Sequence, residues 1–454
     1  MSLHTDHESP DDVLRIYKRE ELLRIGASSS RSSNIELPPW TDEALRKNPD
    51  CGHIIFPSTS QARLQQQADP TPPWDKEIMD ELKMSSKTLE EEIVLLCERL
   101  GVSEERKSLL ESLSKEIETS LQSEFPECRV FPYGSFSSGF AFENCDLDVY
   151  ASLDFSIFDE SSDKPSDTWT AREKTRAVGQ ILRRNERFRS ATAITNAKIP
   201  IVKVKDRRTG IKCDVNTSSV KGVKNSEFLN FCKNYDIRVD QLVKVVKFFS
   251  IKHGAISSGL GSHFNSYTVV IMVIFFLQSK DILPSVASLQ ESVPEDIFEN
   301  SNFAFNKEKK TSSDLINYQN ISELLTEFFQ FYASFSFSSE VISPLLGRSV
   351  RKESFQSGEG LPAALAGCQL KTEKHLVIQD PFELSKNLGQ NVSYSRLAHL
   401  ISLFEFAVSV LKQSQCDGPA QLWRIFEEPT PDLESTTRNI YLECEDEINQ
   451  NMNK

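Results

Sequence analysis

The stretch Phe131–Tyr150, FPYGSFSSGFAFENCDLDVY, constrains the rest of the chain most tightly. A Gly-Ser pair, Gly134-Ser135, is followed after ten residues by Asp146-Leu147-Asp148. Strand side chains alternate between faces. Asp146 and Asp148 are therefore expected to point one way, while Leu147 and Val149 enter a core. Two carboxylates held side by side repel unless a cation sits between them. Hard oxygen ligands favour Mg²⁺ or Mn²⁺. Gly134 lets the backbone approach a phosphate, and Ser135 adds a hydroxyl donor.

A third carboxylate joins them. The segment IPIVKVKDRRTGIKCDVN reads as a hairpin, with strands from Ile199 to about Lys205 and from Ile211 to Asn216 around the turn Asp206–Gly210. Asp214 lies on the return strand, with Cys213 and Val215 on its opposite face. Three carboxylates on neighbouring strands can hold two divalent ions about 3.5–4 Å apart, the arrangement of two-metal phosphoryl transfer.

With 454 residues the chain is long enough for two domains with sizeable cores. Its nine cysteines are odd in number and show no Cys-x-x-Cys or Cys/His ligand spacing. Reduced thiols in cytosol or nucleus, and no structural zinc, are the expectation. Charge and proline interrupt the N-terminal stretch, so no secretory signal is expected. The most apolar run, Tyr267–Leu277, is too short to span a bilayer and reads as a buried helix. The net charge of −14 gives no global sign of nucleic-acid binding. It is unevenly spread: residues Ala171–Lys252 hold 20 Lys and Arg against 7 Asp and Glu, and the rest of the chain 32 against 59. A basic segment around an acidic metal site suits a polyanionic substrate.

Residues 1–75 are rich in Ser, Pro and charge and read as disordered. Helices are expected from about Ser86 to Leu100, with Gly101 as a C′ glycine, and over Ser103–Glu124. A strand Cys128–Tyr133 then leads into the Gly-Ser motif. Asp154–Asp167 is a polar loop, Trp169–Arg187 an amphipathic helix, and Ala191–Asn196 a strand. Beyond Asn225 the pattern turns helical, at Val239–His253, from Ser266, over Ile316–Phe337, at Ser395–Lys412 and at Pro419–Glu427. Asp281–Ser312 and Val341–Gly367 read as irregular, and His375–Ile378 as a short strand before QDPFELSKNLGQNVS. The residues from Glu428 form an acidic tail.

Gly-Ser, ten residues, Asp-x-Asp and a later strand aspartate resemble the polymerase-beta-like nucleotidyltransferase superfamily. The context resembles its template-independent RNA-tailing branch, the terminal uridylyltransferases and cytoplasmic-type poly(A) polymerases, over roughly residues 76–427. The resemblance implies an α+β fold: a nucleotidyltransferase palm with a mixed sheet and helices, plus a helical PAP-associated central domain. The palm would span 103–222, and the central domain 76–102 and 223–427. It implies that Asp146, Asp148 and Asp214 bind two Mg²⁺ or Mn²⁺ ions and carry catalysis. Asn225 matches an Asn that touches the ribose, and Lys247 a triphosphate-binding Lys. Ser266 matches a phosphate contact, and Tyr267 a ring stacked on the base. Asp380-Pro381-Phe382-Glu383 matches the nucleotide-recognition motif. Two positions depart from the pattern. Ile251 stands where a second triphosphate Lys is often found, and Lys386 where uridylyltransferases have a uracil-selecting His.

An ammonium has only donors, and uracil offers O4 where adenine and cytosine offer an amino group. Lys386 would therefore favour UTP, with GTP second because guanine O6 is also an acceptor; the alternative is that Lys386 pairs with Asp380 or Glu383, or points to solvent, and reads no base. The expected activity is addition of uridylate to RNA 3′ ends, with ATP-using poly(A) synthesis as the alternative. A scaffold without catalysis ranks lower, because all three carboxylates are present. No RNA-binding module is evident, so a partner protein would choose the RNA. A cytoplasmic location is expected, with the nucleus as the alternative, and no membrane partner.

Overall fold

The computed structural model describes residues 73–153, 169–256, 264–308, 317–417 and 421–427. The polar loop 154–167, the acidic tail and residues 1–72 of the N-terminal segment lie outside them. The described chain opens with helices α1 (Pro73–Lys83), α2 (Leu89–Leu100) and α3 (Glu104–Gln122). Thr88 and Glu91 form a capping box at the start of α2, and Ser103 caps α3. Both satisfy amide donors that the first turn leaves free. Gly101 is not a left-handed C′ glycine: it is extended, with φ −60° and ψ 153°. It launches the chain toward the Ser103 cap instead of folding it back on α2.

Strand β1 (Arg129–Tyr133), the one-turn helix α4 (Gly134–Ser138) and β2 (Leu147–Ser152) follow. Helix α5 (Ala171–Arg184), capped by Thr170 and Glu173, leads to β3 (Phe188–Ile194), β4 (Ile201–Asp206) and β5 (Lys212–Asn216). The five strands form one sheet in the order β1-β2-β5-β4-β3. β2 and β5 run parallel, and the other neighbours antiparallel. The mixed sheet has one apolar face. Leu147, Val149, Val202, Val204, Cys213 and Val215 pack there with Leu113 and Ile117 of α3 and Val178 and Leu182 of α5. Period-two alternation of Val with Lys or Asp on β4 and β5 decides which face is which.

Asn216 ends β5 with its carboxamide in the following turn, accepting from the Ser218 amide at 2.8 Å and donating to the Ser219 carbonyl at 2.6 Å. That turn aims α6 (Lys221–Tyr235) back across β1. A Cβ on Gly222 would stand 2.6 Å from the Tyr133 ring, so only glycine allows the helix this close. The helical part then builds from α7 (Ile237–Lys252), α8 (Ser266–Ser279), α9 (Val286–Gln290), the hairpin β6 (Ile297–Phe298) and β7 (Ser301–Asn302), and α10 (Ile321–Ala333). A second hairpin, β8 (Glu340–Ser343) and β9 (Arg348–Arg351), precedes α11 (Lys352–Ser357). Helix α12 (Tyr394–Asp417) and the short α13 (Arg424–Glu427) close the described chain.

The two hairpins replace stretches expected to be irregular. Each is short, and its pairing depends on neighbours far away in sequence. The expected strand His375–Ile378 is reduced to isolated bridges, Ile342 to Ile378 and Gln379 to Asn387. Helix α8 is buried on every side from Thr268 to Gln278, as its apolar run predicts. Its core is aromatic: Phe249, Phe276, Phe328, Phe329, Tyr332 and Phe404 meet there. Helix α12 is long and apolar enough over Tyr394–Lys412 to cross a membrane by length and composition, but half of that window is buried in the protein. Helices α1 and α2 pack with this core and not with the sheet, through Leu82, Ile93 and Leu96.

Candidate active site

Asp148 on β2 lies directly beside Asp214 on the parallel strand β5. Asp146 stands one residue before β2, at the mouth of the same pair of strands. The core face of both strands is filled by Leu147, Cys213 and Val215, so the carboxylates are forced to the other face. Burial pushes the Asp148 carboxyl up to about 7, and the charges of Asp214 and Asp146 push the same way. Asp146 is also raised, by burial first, with Lys212 opposing. Lys203, opposite Asp214 on β4, places its Nζ 3.2 Å from Asp214 Oδ2. No three His, Cys, Asp or Glu side chains among the described residues are drawn together as a metal shell.

The three aspartates nevertheless fit hard divalent ions. They are oxygen donors on one face, and Asp148 has no hydrogen-bond donor among the described residues. Burial and the charges of Asp214 and Asp146 raise its pKa, with only Lys203 opposing them. Asp146, Asp148 and Asp214 are the residues that would hold Mg²⁺ or Mn²⁺.

Gly134 has a second role beyond the one its size suggests. Its φ is +76°, and a Cβ there would sit 2.5 Å from Asp148 Oδ2. Glycine thus makes room for the carboxylate as well as for any phosphate. The Gly134 amide donates to Ser226 Oγ at 2.8 Å, and Ser226 donates to the Gly222 carbonyl at 2.8 Å. These bonds pin the Gly134-Ser135 turn to α6. One turn of α6 carries Lys221, Gly222 and Asn225. Asn225 Oδ1 is buried and has no hydrogen-bond partner among the described residues. An orphaned acceptor is costly unless a ligand or water completes it.

Lys247 departs from expectation. Its Nζ is buried, donates to the Phe140 carbonyl at 2.8 Å and lies 4.4 Å from the Phe142 ring centre. Burial lowers its pKa to about 8. The ammonium holds the loop that leads to Asp146 and is not presented to solvent for a phosphate. Ser266 is the first residue of α8, capped by Asn265, and stands at the positive end of a helix dipole.

Tyr267 follows, its hydroxyl 3.5 Å from Asp380 Oδ2. Asp380 is fully buried. Its Oδ1 accepts from the amides of Phe382 and Glu383 at 3.1 and 3.0 Å. Lys386 Nζ lies 3.2 Å from Asp380 Oδ2 and 2.6 Å from Glu383 Oε1. Lys386 is therefore engaged by two carboxylates, which corrects its picture as a free donor for a base edge. The other oxygen of Glu383 takes Lys221 Nζ at 2.7 Å, and Lys221 also reaches Glu299 at 2.9 Å. Burial works to raise Glu383, but hydrogen bonds from Lys221 and Lys386 hold it below the usual carboxylate value.

Sequence reasoning missed Lys203 and Lys221. Lys203 was within reach: a hairpin turning over Asp206–Gly210 pairs it with Asp214. Lys221 gave no signal, because its partner Glu383 lies 162 residues away.

The mitochondrial-like poly(A) RNA polymerase central palm domain matches residues 89–234, and the Cid1-family poly(A) polymerase PAP-associated domain matches 320–386. The chain therefore carries a palm and a PAP-associated domain similar to those of poly(A) polymerases and terminal uridylyltransferases. The second domain match ends on Lys386. Among curated relatives of this nucleotidyltransferase family, the mouse mitochondrial poly(A) RNA polymerase is 27% identical over 376 residues, covering 78% of this chain and 60% of that protein. Human terminal uridylyltransferase 4 is 27% identical over 300 residues, 63% of this chain and 17% of that one. The chain thus spans less than two thirds of these relatives. The solved structure of mtPAP with ATPγS superposes with a TM-score of 0.65 at 22% identity, covering 79% of this chain and 76% of that one. The Cid1 poly(U) polymerase superposes at 0.57 and 22%, covering 71% and 95%. At that identity the likeness is one of fold.

Proposed function

We propose that this chain is a template-independent RNA 3′-terminal nucleotidyltransferase that uses ATP ahead of UTP. The observation that carries the transfer chemistry is Asp148 beside Asp214 with its carboxyl raised to about 7, under a glycine turn cut to fit it. Divalent ions bound there would lower the pKa of an RNA 3′-hydroxyl and steady the departing pyrophosphate. Ser135 and Ser266 offer hydroxyls to phosphate oxygens. The orphaned Asn225 Oδ1 is an acceptor suited to a ribose hydroxyl, which would favour ribonucleotides. Tyr267 supplies a ring for the base, its hydroxyl tethered near Asp380. Lys247 positions the loop before Asp146.

The preference for ATP rests on Lys386. Asp380 and Glu383 take two of its three ammonium protons, so it is a weaker donor to uracil O4 than a free lysine. The poly(A) polymerases among the relatives point the same way. UTP is the second reading, favoured by the one Lys386 proton those two carboxylates leave free. A partner protein would supply RNA choice, since α5 and the sheet offer charge but no base-reading module.

The test is purified protein with a labelled RNA oligonucleotide, Mg²⁺ and each NTP separately. Extension with ATP at least about threefold above UTP, abolished by EDTA, is expected. UTP use tenfold above ATP would put the uridylate reading first. No extension with any NTP would overturn the function.

A further inference from the structure

Lys205 on β4 and Lys212 on β5 are direct cross-strand partners. Like charges placed opposite each other in an antiparallel pair destabilise it. Val204, Asp206, Cys213 and Ile211 are buried beside them, so both lysines belong to the face that α3 and α5 do not cover. Neither forms an ion pair with a carboxylate among the described residues. Lys203, next along β4 on that face, stands beside Asp214. The row continues onto β3 with Thr192 opposite Lys203 and Ser190 opposite Lys205, both exposed. No described helix packs on this part of the face.

We propose that the open face of β5, β4 and β3 is a track for the single-stranded RNA backbone, with Lys205 and Lys212 as phosphate contacts. The 3′ end would leave the track at Lys203, beside the aspartates. The inference rests on the RNA-tailing reading and adds a location for the primer to it. Three points carry it. Lys205 faces Lys212 with no ion pair of its own among the described residues, and the Lys212 charge reaches toward Asp146. Hydroxyls extend the row, and Ser and Thr are phosphate donors in nucleic-acid interfaces. The row also ends at the carboxylate site and not elsewhere on the sheet. The face carries no aromatic ring for base stacking. Recognition there would be of phosphates, tolerant of sequence and steeply dependent on salt.

The test measures binding of a labelled 15-nucleotide RNA by anisotropy, without NTP, across a range of salt. Tailing with limiting and saturating RNA runs in parallel. Lys205→Gln should flatten the slope of log K against log salt by about 0.7, and Lys205→Gln with Lys212→Gln by about 1.4. The RNA KM of Lys205→Gln should rise at least about threefold, while its KM for NTP stays as in wild type. Lys205→Arg with Lys212→Arg should keep both RNA values. Lys205→Gln should melt no lower than wild type, since it relieves the repulsion with Lys212. An unchanged slope and RNA KM would overturn the track and leave the face to an acidic protein surface. If wild type extends no RNA and binds none, the tailing reading itself has failed and the track falls with it.

Discussion

Asp148 and Asp380 are both aspartates with raised carboxyls, and burial is the first cause in each. Their surroundings are opposite. Asp380 has two backbone amides and the Lys386 ammonium, and Glu383 beside it has two lysines. Asp148 has Asp214 and Asp146 for neighbours and no donor among the described residues. One cluster is electrostatically complete within the protein. The other has Lys203 on Asp214, and leaves Asp146 and Asp148 without an ion pair among the described residues. A site that must bind ions keeps its charge uncompensated, whereas one that must hold a shape closes its charges on itself.

Removing the charge from the open cluster should have the largest effect. Asp148→Asn should lower tailing by about a hundredfold or more, several kcal/mol of transition-state stabilisation. Its stability should move the other way. The Asp148 carboxyl titrates near 7 when folded and about 3.9 when unfolded. Between these values the folded chain holds the proton more tightly, so this group's contribution to stability is lost as pH rises through 7. In EDTA, Asp148→Asn should melt above wild type at pH 8, and the gap should shrink toward pH 4. Robust tailing by the variant would sink the carboxylate assignment.

Gly134→Ala probes the same cluster sterically. The new Cβ meets Asp148 Oδ2, and a left-handed backbone at a non-glycine residue costs about 1–3 kcal/mol. Tailing should fall more than tenfold while the fold survives by circular dichroism. Activity within twofold of wild type would show that the fit between Gly134 and Asp148 is not needed.

The closed cluster should answer more quietly. Lys221→Met leaves Lys386 as the sole counter-charge of Asp380 and Glu383 and draws it further from any base. UTP use relative to ATP should drop about threefold, Lys221→Arg should restore it, and a ratio that does not move would remove Lys221 from base selection. Lys386→Ala removes that donor outright and should lower UTP use relative to ATP by about the same threefold. It should lower stability by about 1–3 kcal/mol, because a buried carboxylate loses its partner. A tenfold change in that ratio would instead make Lys386 the base reader.

Much of the open cluster was legible beforehand. The Gly-Ser spacing, the Asp-x-Asp pair and the hairpin turn over Asp206–Gly210 are local patterns, and strand alternation converts them directly into faces. The closed cluster was legible only as a string, Asp-Pro-Phe-Glu. Its meaning changed once Lys221 arrived from a helix 162 residues earlier. Lys386 shows the difficulty best. Taken alone, a lysine in place of a histidine is a free donor, but beside Asp380 and Glu383 it is a counter-ion.

The sequence by itself determined the sheet's two faces, the buried helix from Ser266 and the three carboxylates, because each follows from periodicity within a few residues. Only the tertiary structure decided which charges are neutralised. It turned Lys247 inward to Phe140, shared Lys386 between two acids, set Lys203 on Asp214 and left Lys205 facing Lys212. Ion pairing acts over a few ångströms of space, and neighbours in space here are often a hundred residues apart along the chain.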